Sequence, residues 1–314
     1  MKRLALIVIG LGLAGGAGLA AAGCGQDEAV AVGAVSTEIP ANPTTVANPE
    51  TDTTSPPVAT GIGTDTGVEP GSGNSSDVYQ VWLVRGESLF VTWRERSGTP
   101  QVGTEALEDL LTGPEPIEAR AGVSTVIPAG TRLLGLAVSK GVANVDLSSE
   151  FEVGGGSASM SARLAQVVCT LDQFETVKVV SFRLDGQPVD VFSGEGIVLD
   201  QPVRCRDYEE LLPVILVEHP SIGQDVQSGI TVSGSANVFE ANVTVRVLDA
   251  GGTELARDFT TATCGTGCRG TFSIAMKFDV THEQAGTIVI SDDDAAGTGK
   301  PPHEVRIPVT LMPS

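Results

Sequence analysis

The chain has 314 residues, too many for one ordinary domain and about right for two. Its 19 Lys and Arg face 39 Asp and Glu, a formal charge of −20 that argues against gripping nucleic acid by phosphate neutralisation or docking on anionic lipid through a basic face. Aromatics are only 4% of the residues and there are three histidines, a thin stock for stacking platforms, carbohydrate clefts or histidine metal centres, whereas 38 glycines and recurrent β-branched residues favour strands and turns.

The chain opens with a basic Lys2-Arg3 pair, an apolar run from Leu4 to Leu13, and small residues through Ala20-Ala21-Ala22-Gly23 to Cys24. These are the three parts of a secretion signal. The Ala21-Ala22-Gly23-Cys24 segment resembles the lipobox of bacterial lipoproteins, departing from it at Ala21, where leucine is usual. The resemblance implies a signal peptide over 1–23 and lipidation of Cys24, with acyl chains as the membrane anchor. A plain peptidase cut nearby and an uncleaved membrane helix are the alternatives.

Residues 24–77 are expected to form a disordered linker. From 25 to 77 there is no aromatic, Lys or Arg, and eight acids stand among Thr, Ser, Pro and Gly. Too little apolar area is present to offset the entropy of ordering. As a flexible coil it spans roughly 40 Å, more when stretched by proline and charge repulsion.

The pattern over 78–195 predicts an α+β domain, a mixed or antiparallel sheet carrying two helices. Val78–Val84 and Leu89–Trp93 read as paired strands around Arg85-Gly86-Glu87-Ser88. A short helix follows, with Thr104 as its cap and Gly113-Pro114 as its stop. Leu133–Val138 and Val142–Leu147 form a hairpin turning at Ser139-Lys140-Gly141. A longer helix runs from about Ser157 to Phe174, with Met160, Leu164, Val167, Val168, Leu171 and Phe174 on one stripe. A last hairpin turns at Asp185-Gly186.

Val126-Ile127-Pro128-Ala129-Gly130-Thr131-Arg132-Leu133-Leu134, with Val142–Phe151 and Gly154-Gly155-Gly156-Ser157, resembles the GerMN domain of bacterial sporulation and germination proteins. That family is not known as an enzyme. The resemblance implies a module that assembles with or contacts other envelope proteins. The glycine run precedes a helix N-terminus, where free amides can cradle an anion, but no Gly-Lys-Ser/Thr follows. The plainer expectation is a loop with Ser157 as N-cap.

Residues 196–212 form a connector. Asp207 and Glu210 have capping-box spacing, so one helical turn here reads as a hinge. Residues 213–314 carry about seven short alternating strands, the count of an all-β immunoglobulin-like sandwich. Glu218-His219-Pro220, Ile230–Ala241 and Glu304–Val309 resemble the immunoglobulin-like domain of bacterial spore germination proteins, a module found behind GerMN domains.

Export places the cysteines where disulfides persist. Setting Cys24 aside leaves four, which allow three connectivities. Cys169 lies opposite the apolar stripe of its helix, which argues against a core thiol and makes Cys205 its available partner; Cys264 and Cys268 flank a glycine turn. The expected pairs are Cys169–Cys205 and Cys264–Cys268. C-x3-C is neither the redox C-x-x-C nor half of a zinc site with a histidine nearby. His219, His282 and His303 lie far apart, and Asp292-Asp293-Asp294 lacks spaced calcium ligands.

The sequence therefore predicts a non-catalytic, lipid-anchored protein on the extracytoplasmic side of a bacterial cell membrane, with no cofactor, metal or nucleic acid. Its partners would be the membrane, through Cys24, and envelope proteins. The alternative is binding of cell-wall polymer or carbohydrate, for which Tyr79, Trp82 and Trp93 are candidate platforms, unless they pack the strands.

Overall fold

The computed structural model describes residues 76–192, 196–292, 299 and 301–313. Cys24, the expected signal and linker, and Asp293-Asp294 lie outside these. Among the described residues no helix is long and apolar enough to cross a membrane.

The first domain opens with a long hairpin, β1 (Ser76–Arg85) and β2 (Ser88–Ser97), closed around Gly86. Helix α1 (Val102–Thr112) follows. It starts before Thr104, because the Gln101 carbonyl already accepts from the Thr104 and Glu105 amides at 2.8 and 3.2 Å. Gln101, not Thr104, is the N-cap, without a side-chain hydrogen bond. A five-residue helix, α2 (Pro116–Arg120), leads to β3 (Val123–Ser124), which pairs with the end of β1. Five residues are too few to show a periodicity, so α2 has no sequence signal beyond Pro116 at its start.

Next come β4 (Leu133–Ser139) and β5 (Val142–Leu147), the hairpin expected from alternation, then α3 (Ser157–Asp172). Gly156 caps α3, since its carbonyl accepts the Met160 amide at 3.0 Å; Ser157 is the first helical residue rather than the cap. Phe174 falls just past the helix. The chain returns as β6 (Val179–Leu184), parallel to β5, and closes with the short strands β7 (Gln187–Pro188), β8 (Val191–Phe192) and β9 (Ile197–Val198).

The domain is α+β, with its longer strands divided between two sheets, β2-β1-β3 and β4-β5-β6-β7. Helix α3 packs between them, and this placement changes what its residues mean. Ten of its sixteen residues are buried, including Arg163, Gln166, Cys169 and Thr170. Cys169, expected away from the core, is 2% exposed. The apolar stripe is only one of the helix's buried faces.

The second domain holds β10 (Ile215–His219), β11 (Asp225–Val226), β12 (Ile230–Ala236), β13 (Asn242–Asp249), β14 (Glu254–Thr261), β15 (Gly270–Met276), β16 (Gln284–Ser291) and β17 (Glu304–Leu311). They form two sheets, β10-β12-β15 and β11-β17-β16-β13-β14. On β17 Ile307, Val309 and Leu311 are buried and alternate with more accessible Arg306, Pro308 and Thr310, the period-two signature of a sandwich, whereas the central strands β13 and β16 also bury intervening Thr244 and Val289.

Candidate functional site

The chemically capable side chains gather in three places: the polar face of α3, a buried ion pair under α2, and the joint between the two domains. In each place they are engaged in holding the fold.

Residues Arg163, Gln166, Thr170 and Gln173 form a second stripe along α3. It faces the open edge of β1, where no strand pairs with Gln80 or Trp82. Gln173 accepts from the Gln80 amide at 2.7 Å and donates to its carbonyl at 2.8 Å. Thr170 accepts from the Trp82 amide at 3.0 Å, and Gln166 donates to the Trp82 carbonyl at 3.1 Å. Two side chains of α3 and that of its C-cap, Gln173, thus do the work of a neighbouring strand, as buried backbone groups require. Arg163 closes the row. Its guanidinium donates to the carbonyls of Val126, Phe151, Val153 and Gly154 at 2.7–3.1 Å. The glycine run is a loop, as expected, and its Gly154 carbonyl is turned onto the buried Arg163 cation, with Gly155 packed beside the same guanidinium. Burial pulls the Arg163 pKa down from its usual value.

Under α2, Arg94 and Glu118 make a bidentate pair, both bonds 2.8 Å, with each residue 3–4% exposed. Thr92 donates a further hydrogen bond to Glu118, and the Glu115 amide donates to it at 2.7 Å. Burial alone would raise the Glu118 pKa, but the donors from Arg94, Thr92 and Glu115 together outweigh it and hold the carboxyl below its ordinary range.

The joint accounts for Trp93, His219 and Cys205. The Trp93 ring stacks on His219, centroids 4.7 Å apart, and its indole N–H donates to the Glu218 carbonyl at 2.8 Å. Arg85 donates to the Arg306 carbonyl at 3.0 Å and lies over Phe90. A cleft of about 310 Å³ beside Arg85 and Arg306 lies along this seam. Ile117 of α2 approaches Gly223 so closely that a Cβ there would overlap it. The expected hinge is a seven-residue 3-10 segment, Cys205–Leu211, held from both sides. Cys205 is bonded to Cys169 of α3, Cα atoms 4.6 Å apart, and Arg269 of the second domain reaches Glu209 at 3.9 Å and the Pro213 carbonyl at 2.7 Å. With Tyr208 buried as well, the segment is a bolted connector rather than a hinge. The second disulfide, Cys264–Cys268, closes the turn before β15, Cα atoms 5.8 Å apart.

The proposed ring platforms are built into these features. Tyr79 is 1% exposed and donates to Asp109 at 2.8 Å; Trp82 is 8% exposed. The remaining histidines stay apart: His282 contacts Thr281, and His303 pairs with Asp292 at 2.7 Å. Among the described residues no three His, Cys, Asp or Glu side chains converge as a metal site.

Two family models match the chain. Residues 79–190 match Germane, described as sporulation and spore germination, and residues 214–298 match Gmad2, the immunoglobulin-like domain of bacterial spore germination. The chain thus contains, over these residues, a GerMN domain followed by an immunoglobulin-like spore germination domain. Both are accessory domains of sporulation and germination, not known enzyme families. Among solved structures, the first GerMN domain of the sporulation protein GerM from Bacillus subtilis is 20% identical, with 42% of this chain and 99% of that one covered and a TM-score of 0.35. The tandem GerMN domains of the same protein are 16% identical over 65% of this chain, with a TM-score of 0.38, and the match spans 62% of their length. No curated protein matches.

Proposed function

We propose that the protein is a non-catalytic, membrane-anchored extracytoplasmic lipoprotein that serves as a rigid interaction module in the cell envelope. The observation that carries this reading is the use made of its reactive side chains. Cys169, Cys205, Arg94, Glu118, Arg163, Trp93 and His219, the types that do chemistry elsewhere, are tied into structural contacts at the core and the joint. In this reading the lipid at Cys24 fixes position, the acidic linker sets reach, and the bolted joint fixes how the two domains are presented.

Two experiments test it. Cys24→Ser should abolish incorporation of labelled palmitate and release the protein from the membrane fraction; a variant that stays labelled and membrane-bound refutes the anchor. Photo-crosslinkers placed across the exposed faces of both domains in living cells should trap defined envelope proteins. Crosslinks to none from any position refute the interaction role.

A further inference from the structure

The GerMN domain ends on a strand whose outer edge nothing in the described chain pairs. β4 is the terminal strand of the sheet β4-β5-β6-β7, bonded to β5 on one side only. Its seven residues, Leu-Leu-Gly-Leu-Ala-Val-Ser, include no charge and no proline, and Leu134 and Val138 are 47% and 43% exposed. Proteins usually guard such an edge with charge, proline or a covering element. The sandwich does so: its edge strand β14 carries Glu254, Arg257 and Asp258, and uncharged β15 lies against β14 through a Thr260-to-Ser273 hydrogen bond. β4 carries neither charge nor proline; a register shift between Leu133 and Gly135 disturbs its start, another device that blunts an edge, but from Gly135 to Ser139 its pairing with β5 is regular.

Beside this edge lies an apolar depression of about 370 Å³, lined by Val102, Gly103, Leu136, Val138, Leu171 and Phe174 among others. Gly103 lines it closely: a Cβ there would stand a tight 3.2 Å from Leu136 and in ordinary contact with Leu171 and Phe174. Leu136 and Val138 pair with Val145 and Ala143, the buried positions of β5, so they share the helix-covered face. The opposite face, with Asn144, Ser181 and Asp146, is polar. A strand laid along β4 would therefore present alternate apolar side chains to the depression and polar ones to the other face.

Charge selects the occupant. In a chain of net −20, β4 is bracketed by bases. Arg132 precedes it, 64% exposed and only loosely opposed by Glu150 at 3.8 Å. Lys140 follows it, and Lys178 adjoins the same turn, its amide donating to Gly141 at 2.7 Å. A second copy is a poor fit, because antiparallel pairing of two β4 edges brings the Arg132 end of each copy towards the Lys140 end of the other, and like charges so placed repel.

We propose that β4 is a strand-addition site for an extended segment of another envelope protein, with alternating apolar residues and acidic residues at its ends. The proposal rests on the interaction role above and names its surface. The test uses the purified full chain and fluorescent peptides of alternating Val and Thr, with Asp at both ends or Lys at both ends. The Asp-ended peptide should bind about fivefold more tightly at low salt, the difference shrinking in high salt. N-methylation of alternate amides on one edge should abolish binding, as main-chain pairing requires. Arg132→Glu with Lys140→Glu should reverse the preference. Leu134→Asp with Val138→Asp, both at exposed positions, should remove binding while leaving the melting temperature nearly unchanged, and Phe259→Asp on the sandwich should change neither.

Absence of binding, indifference to N-methylation, or an unreversed preference would overturn the proposal. So would self-association of the full chain that the Val138→Asp substitution abolishes, which would identify a second copy as the occupant. In cells, crosslinks from other faces but none from positions 134 and 138 would overturn the β4 site and leave the interaction role standing. No crosslink from any position would overturn both.

Discussion

Arg94 and Glu118 set the sharpest expectations at the scale of single residues. A buried bidentate pair is costly to form and costlier to break, because removing one partner strands the other's charge. Glu118→Gln should therefore lose about 3 kcal/mol in denaturant unfolding at neutral pH. The folded carboxyl titrates below its unfolded value, so its contribution is complete above the ordinary carboxylate range and is lost as pH falls through the lowered folded value. The gap in melting temperature between wild type and Glu118→Gln should accordingly be constant near neutrality and narrow below about pH 4. Thr170→Val keeps the shape of its side chain but leaves the Trp82 amide without its acceptor. It should cost about 1–2 kcal/mol and speed hydrogen exchange at Trp82 more than at its neighbours in β1.

At the scale of elements, α3 was legible in its existence but not in its role. Its apolar stripe announces a helix with one buried face and places Cys169 opposite that face. A signal for the truth was present: between Ser157 and Asp172 the only charged residues are Arg163 and Asp172, whereas a solvent face ordinarily carries several charges. Gln166 and Thr170 suit a helix that must satisfy a strand's backbone. That requirement arises only once β1 lies beside α3, some 88 residues away along the chain for the Trp82–Thr170 pair. The two disulfides differ for a related reason. Cys169–Cys205 closes a separation of 36 residues and Cys264–Cys268 one of 4. By loop entropy the first should contribute about 4 kcal/mol and the second about 2 kcal/mol. Denaturant midpoints of the two paired Cys→Ala variants should fall in that order, and loss of the first should also expose the 205–211 segment to proteolysis.

At the scale of the whole molecule, the joint decides whether the domains act as one body. Trp93 bonds to Glu218 and stacks on His219, so Trp93→Ala removes both contacts at once. It should cost about 2 kcal/mol and split a single calorimetric transition into two, one per domain. A single unshifted transition would show that the joint does not couple them. Charge also belongs at this scale. From Val78 onward 17 bases face 31 acids, and the eight acids of 25–77 have no base among them. Arg132, Lys140 and Lys178 are three of those 17 bases, gathered near the ends of β4 in a chain of net acidic charge.

The sequence by itself determined the class of each domain, the seven principal strands of the sandwich, the β4–β5 hairpin and the presence of α3. Those features follow from periodicity and turn residues, which act over a few positions at a time. Tertiary structure alone decided that the first domain's strands divide into two sheets, that Cys169 is buried, that Gly154 bonds Arg163, that Trp93 stacks on His219 across the joint, and that the connector is tied to both domains. Each of these depends on which distant backbone groups and charges need partners once they leave water. No local pattern records that need, because it does not exist until the chain has folded.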